Sequence, residues 1–456
     1  MQKTHVQDFT SGTISGQLIR FAWPLFLSNL LQVVYNMVDM IIVGQVLGKN
    51  GISAVAVGGD VSSLLTFIAM GFANAGQVII ARDIGARQTD KLGRFVGTMT
   101  GFLMAAAILL STGGLFLRDV LLKLMNTPAE SYAGALSYSS VCMAGLVFIY
   151  GYNIVSAILR GMGDSKHPFI FISIAAVMNL VLDVVFVIFM DMGPGGAALA
   201  TVMSQAVSFI ACAVMLIRQK EKFQLSLKAG EFIRWDGAML RQLISLGVPM
   251  AIRSASIMVS KLFVNSWINS YGIAVSAFAG IANKISSISN LVSNAMNTAG
   301  STMVGQNLAA GEFGRVKKIL KSLAVITLTV AAAISAFICL FPDVVFGIFT
   351  SDAAVLAIGP GYVPIAVLLF FGSSMRAIMN ALMNGSGNYK VNFATAILDG
   401  IVMRIGMALL FGLALDMRHY GFWLGDAVAG FTPFFIGLVF YFTGSWKKGV
   451  IRTKNS

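Results

Sequence analysis

Charged residues are scarce in this chain: 11% of its 456 residues, against about 25% in a soluble globular domain. That excludes a water-soluble fold. Acidic side chains are the scarcer sign, 19 against 32 basic. The three cysteines, Cys142, Cys212 and Cys339, sit in apolar runs without a CxxC spacing, which leaves neither a disulfide framework nor a cysteine metal centre to read. The three histidines, His5, His167 and His419, fall in a tail or in loops, so a metalloenzyme has almost no ligands to draw on. No GxxxxGK[ST] loop is present; Gly44 to Asn50 has the wrong spacing and ends in asparagine. An ATP-driven pump would need a partner to supply its motor. No paired intramembrane acids of the magnesium-pyrophosphate type, no Ser/His arrangement and no HExxH motif lie in a span, so the reading is not an enzyme and has no cofactor.

What the chain has in abundance is apolar sequence, 57% hydrophobic with mean hydropathy +0.81. A membrane span needs roughly 20 mostly apolar residues, so spans must fill most of the chain. Met1 to Gly16 is polar, and the run from Phe21 to Leu47 is too long for a signal-peptide core and lacks a cleavage site, so it reads as a retained span. Apolar runs begin near Leu18, Gly51, Phe95, Ala133, Pro168 and Gly195, then Leu240, Ile273, Ile319, Ala353, Phe393 and Gly421. The expected fold is an all-α membrane protein of twelve transmembrane helices in two pseudo-symmetric six-helix lobes. The long polar stretch Arg218 to Arg241 divides them, giving an N-terminal lobe 1–217, a cytoplasmic connector 218–241 and a C-terminal lobe 242–456. With the N-terminus inside, inner segments hold 23 of the 32 basic residues, among them Lys3, Lys448, Arg452 and Lys454, whereas the outer loops hold only Lys49, Arg118, Lys123 and Arg418. That asymmetry places both termini in the cytoplasm. The net charge of +13 therefore reports topology, not nucleic-acid binding.

Laid on itself at a shift of 224 residues, the chain matches Ser62-Ser63 with Ser286-Ser287, Ala75-Gly76 with Ala299-Gly300, Gly163 with Gly387 and Phe169 with Phe393; Pro24 falls near Pro249. Six spans in each half start on the same side, which predicts a pseudo-two-fold axis along the membrane normal.

Acids inside spans are costly and are functional candidates by default. Here they are Asp39, Asp60, Asp183, Asp399 and, near an outer end, Asp426. Asn29, Gln32, Asn36 and Asp39 recur at helical spacing, so they form one polar stripe on the first span. Asn179 and Asp183, four apart, stack on one face of the fifth. A pocket of these groups could hold a proton on a carboxyl or coordinate a small cation through hard oxygens. The 224-residue shift sets Met403 and Met407 against Asn179 and Asp183. The second half instead carries Arg253, Lys261, Lys284, Arg376 and Arg404, an acidic-versus-basic division in which the C-terminal lobe's Arg253, Lys261, Arg376 and Arg404 shape a substrate cavity or lock the halves. Asp60 and Lys284 occupy equivalent positions and are expected to form a gate between lobes.

The run Phe21-Ala22-Trp23-Pro24-Leu25, continuing through Ser28-Asn29-Leu30-Leu31 and Tyr35-Asn36-Met37-Val38-Asp39 to Ile42-Val43-Gly44, resembles the first helix of bacterial multidrug and toxic compound extrusion (MATE) transporters. Asn153, the segment Leu159 to Ser165, Pro168, Asn179 and Asp183 resemble the same family, as does Gly305 to Gly311. The resemblance implies secondary active export in a bacterial plasma membrane, exchanging inward-moving H⁺ or Na⁺ for an amphipathic small molecule as two lobes open alternately. By position, Asp39, Asn153, Asn179, Asp183 and Thr201 match its cation-binding residues, and Pro24 matches a first-helix proline whose kink is linked to protonation. Some branches carry a glutamate in the seventh helix and an aspartate in the tenth; here Ser256-Ile257 stands in the first place and no acid lies between Val355 and Met383, which argues against a second cation site. The implied partners are the lipid bilayer and a small-molecule substrate, with the protein monomeric. A flippase for lipid-linked precursors and, in another class, a passive channel are the alternative readings.

Overall fold

The computed structural model describes residues 5–125 and 127–447; Lys3, Lys448, Arg452 and Lys454 lie outside them. A chain in hydrocarbon has no water to satisfy its peptide groups, so each segment closes its own hydrogen bonds as a helix. Among the described residues no strand occurs. The helices are α1 (Ile14–Gly85), α2 (Leu92–Leu124), α3 (Ala129–Ala144), α4 (Leu146–Gly161), α5 (Lys166–Asp183) and α6 (Gly193–Arg218), then α7 (Gly237–Asn269), α8 (Ile273–Ala309), α9 (Phe313–Leu340), α10 (Gly359–Gly385), α11 (Tyr389–Ile397), α12 (Met403–Leu409), α13 (Arg418–Ala429) and α14 (Thr432–Phe442). Uninterrupted, the 72 residues of α1 would reach about 108 Å, far beyond a bilayer. Gly48 breaks it with φ 63°, a left-handed turn that glycine adopts without a steric penalty. Two spans result. The pair α3–α4, bent by 50°, makes another; with α2, α5 to α10 and the joined pairs α11–α12 and α13–α14, the described residues make twelve helical passes.

The chain forms two compact units. Among the described residues, the first comprises 5–8 and Trp23–Gly247, and the second comprises Phe9–Ala22 and 248–447. The early segment joins the second unit through specific bonds: Arg315 donates to the carbonyls of Phe9, Ser11 and Gly12, Asn307 donates to the Phe9 carbonyl, and Gln306 accepts from the Phe9 amide. In the first unit, the polar stretch after α6 docks on a glycine ridge of α2. A Cβ at Gly93 would lie 2.0 Å from the Ser226 carbonyl oxygen, and one at Gly101 2.0 Å from that of Phe232. Phe223 and Leu225 are buried as a consequence. Gly101→Val should therefore destabilise this docking by about 1–3 kcal/mol. Faster trypsin cleavage at Lys228 or Arg234 is the expected readout, and an unchanged cleavage rate would contradict it.

The repeat is written in the backbone. Left-handed residues recur at Gly48 and Gly272, Arg87 and Gly311, and Gly163 and Gly387, each pair 224 apart. Further on, Asp191 pairs with Asp416 and Gly193 with Arg418, now 225 apart. Backbone bonds confirm the later register: Met190 N–H to Val185 O is matched by Leu415 N–H to Leu410 O, and Met192 N–H to Phe186 O by Met417 N–H to Phe411 O. One residue has been inserted between Gly387 and Asp416. Its place is the π-helical turn Leu398–Val402 between α11 and α12, since a π turn takes up one residue more than an α turn. The second π turn, at Leu410–Ala414, has its own counterpart in Val184–Phe189.

Candidate functional site

In the first unit Asp39, on α1, and Asp183, at the end of α5, are both buried. They lie within electrostatic range of each other and of Tyr138 on α3. One oxygen of Asp39 and both oxygens of Asp183 are sealed from solvent without a hydrogen-bond partner among the described residues. One turn before Asp183, Asn179 donates from Nδ2 to Thr201 Oγ1 at 3.4 Å, and the Thr201 hydroxyl donates back to the Ala197 carbonyl within α6. Asn153 instead bonds the Ile149 carbonyl of its own helix, α4. An unpaired carboxylate in an apolar interior is expensive, by several kcal/mol even after relaxation. It persists there as a neutral acid or beside a bound cation.

The remaining expected residues are more dispersed. Along the first-span stripe only Asp39 is buried; Asn29 and Gln32 are half-buried and Asn36 is exposed. Pro24 is buried, and its carbonyl accepts from the Ser28 hydroxyl. Asp60 is half-buried in the first unit and Lys284 is exposed in the second. The sequence reading did not single out Tyr138. Its position on α3 carries no charge or spacing signal, and only folding brings it beside the two acids.

In the second unit two of the four bases are ion-paired to acids of the same unit. Asp399, within the Leu398–Val402 turn, is fully buried and accepts from Arg253 Nη2 at 3.0 Å through one oxygen and from Arg404 Nη2 at 3.3 Å through the other. Arg404 also bonds Asp426 on α13. Arg253 donates to Asn380 on α10 as well. Thus Arg253 and Arg404 are ion-paired, because desolvated guanidinium groups are tolerated only beside compensating charge. Arg376 donates to the amide oxygen of Asn290 at 2.9 Å, whereas Lys261 makes neither a hydrogen bond nor an ion pair among the described residues. The register corrects one expectation: past the π turn the offset is 225, so Arg404 and Ala408, not Met403 and Met407, stand against Asn179 and Asp183. The same offset sets Asp426 against Thr201. The neutral Asn179–Thr201 bond of the first unit is thus replaced, at equivalent positions, by the Arg404–Asp426 ion pair.

The MatE family model matches residues 24–185 and 249–410, one copy in each half. The chain is 28% identical over 441 residues to the probable multidrug resistance protein YpnP of Bacillus subtilis, covering 96% of this chain and 97% of that one. It is 25% identical over 454 residues to the probable multidrug resistance protein NorM of Thermotoga maritima, covering 97% and 95%. Among solved structures, one described as a MOP superfamily transporter from Pyrococcus furiosus with reverse polarity of its binding pocket superposes with a TM-score of 0.88 at 22% identity over all of both chains. A MATE protein in the bent conformation also superposes at 0.88, with 23% identity over 98% and 99% of the two chains. With two matched repeats covering most of its length and twelve spans in two six-helix lobes, the chain belongs to the MatE family and is a multi-pass membrane transporter, not an enzyme.

Proposed function

We propose that this transporter is a cation-coupled exporter of amphipathic small molecules in a bacterial inner membrane, monomeric and with both termini in the cytoplasm. The observation that carries the reading is the pair Asp39 and Asp183, buried in mutual electrostatic range with oxygens that no protein donor satisfies. Such a pair binds H⁺ or Na⁺ more tightly in one conformation than in the other, and a ligand shifts a conformational equilibrium only through that difference. Asn179 and Thr201 supply neutral oxygens close to Asp183, and Asn153 contributes from α4. A one-unit pH gradient supplies about 1.4 kcal/mol per proton, enough for tenfold accumulation of cargo at one-for-one exchange. The multidrug names of YpnP and NorM support export of drug-like cargo.

The test is reconstitution into proteoliposomes with an imposed H⁺ or Na⁺ gradient, each applied separately, and a panel of cationic, neutral and anionic dyes. Accumulation of a dye against its own gradient, driven by one of the two ions, is the expected result. Mere equilibration of dyes under both gradients would favour a channel and overturn the proposal.

A further inference from the structure

The second unit's charge network does not balance. Among the described residues, Arg253, Lys261, Arg376 and Arg404 have two intramembrane carboxylates near them, Asp399 and Asp426. Arg376 stands one turn before Asn380 on α10, the residue to which Arg253 donates, and Lys261 stands about two turns beyond Arg253 on α7, so the six groups share one region of the unit. Both oxygens of Asp399 are already taken, by Arg253 and Arg404, and Asp426 is paired with Arg404. Arg376 is left with an amide oxygen as its hydrogen-bond partner, and Lys261 makes no ion pair or hydrogen bond among the described residues. These two positive charges sit inside spans, where an uncompensated ion costs several kcal/mol.

Asp399 and Arg404 are buried, whereas Arg376 and Lys261 are partly exposed, as are Arg253 and Asp426. The chemistry of Arg376 and Lys261 is complementary: a planar guanidinium fork, held by Asn290 at 2.9 Å, and an ammonium point charge from the facing helix region. That combination matches an oxyanion, a carboxylate or a phosphate, which the fork grips through paired N–H donors while the ammonium neutralises remaining charge. The salt-bridged core of Arg253, Asp399 and Arg404 would fix the surrounding helices, and the inserted residue of the Leu398–Val402 turn is what brings Arg404 to its station.

We infer that the second unit carries a binding site for the carboxylate or phosphate group of an amphipathic anion, held by Arg376 and Lys261. The site stands on this unit alone and does not depend on the coupling role of Asp39 and Asp183. Its occupant is either a soluble cargo molecule or the headgroup of an anionic lipid; both present the same oxyanion. The competing arrangement is a purely structural one, in which Lys261 turns to Asp426 and no ligand enters.

The test uses the full chain in nanodiscs of phosphatidylcholine and follows binding of dansyl-aminoundecanoate, a fluorescent carboxylate, with its methyl ester as the neutral control. No ion gradient is applied, and the measurement is repeated in Asp183→Asn protein so that loss of coupling and loss of this site are separable. The acid should bind at least tenfold tighter than the ester. Arg376→Gln and Lys261→Gln should each weaken the acid at least tenfold and leave the ester unchanged, and Arg376→Lys should recover part of the loss. Adding phosphatidylglycerol to the nanodiscs distinguishes the sources: competition with the acid in wild type but not in Lys261→Gln identifies a lipid headgroup, and absence of competition identifies a soluble anion. Equal affinity for acid and ester, or unchanged acid binding in a folded Lys261→Gln protein whose elution profile matches wild type, would overturn the site.

Discussion

Asp183→Asn is expected to reduce gradient-driven export to less than a tenth of the wild-type rate while leaving the protein folded and at least as stable. The two oxygens of Asp183 are buried without a donor, so the side chain gains nothing from protein hydrogen bonds that an amide of the same shape would forfeit. The amide also removes the burden of an ionisable group in an apolar surrounding. What it cannot do is exchange a proton or present a negative charge to Na⁺. Stability and function should therefore move in opposite directions, which separates a coupling residue from a packing residue. Asp39→Asn should behave in the same way, with Asp39 likewise buried and only electrostatic contact linking it to Asp183. Thr201→Ala should be milder, because it removes one long hydrogen bond to Asn179 and leaves both carboxylates in place. The measurements are dye accumulation in proteoliposomes and thermal unfolding in detergent. Wild-type accumulation by Asp183→Asn would remove that residue from the coupling step.

The spans and the buried acids were legible in the sequence because hydropathy and intramembrane charge report the bilayer directly. Asn179 and Asp183 could be placed on one face by their spacing of four, whereas the hydrogen bond from Asn179 to Thr201 joins two helices and has no local signal. The register of the second half was not legible in the same way. A π turn adds a residue without glycine or proline to mark it, so the constant shift of 224 carried Met403, and not Arg404, to the position of Asn179. The pairing of Arg253 and Arg404 was hidden for a different reason. Arg253 and Asp399 are 146 positions apart, and no local pattern joins residues at that distance. Tyr138 escaped for a similar reason, since its relevance lies wholly in the neighbours that folding supplies. The left-handed residues Asp191 and Asp416 offered a clue to the shift of 225, yet an aspartate in a loop gives no notice of its backbone angle.

Asp399→Leu carries the largest expected cost in stability, about 3–5 kcal/mol. The wild-type carboxylate has no solvent exposure and holds Arg253 and Arg404, themselves 15% and 3% exposed in their side chains. Leucine fills similar space but leaves two guanidinium groups facing each other across an apolar side chain. Arg404 retains Asp426, so the greater burden falls on Arg253, whose remaining partner is the Asn380 amide oxygen. The double variant Asp399→Leu with Arg253→Met should accordingly recover more than half of the loss, because removing both members of a buried ion pair is far less costly than removing one. Arg404→Met is predicted to be severe in its own right, since it strands both Asp399 and Asp426. Thermal unfolding of the three proteins in one detergent measures the differences. If Asp399→Leu unfolds with wild type, or if adding Arg253→Met deepens the loss, the network does not hold the second unit together, and the inserted turn that positions Asp399 would need another reason to exist.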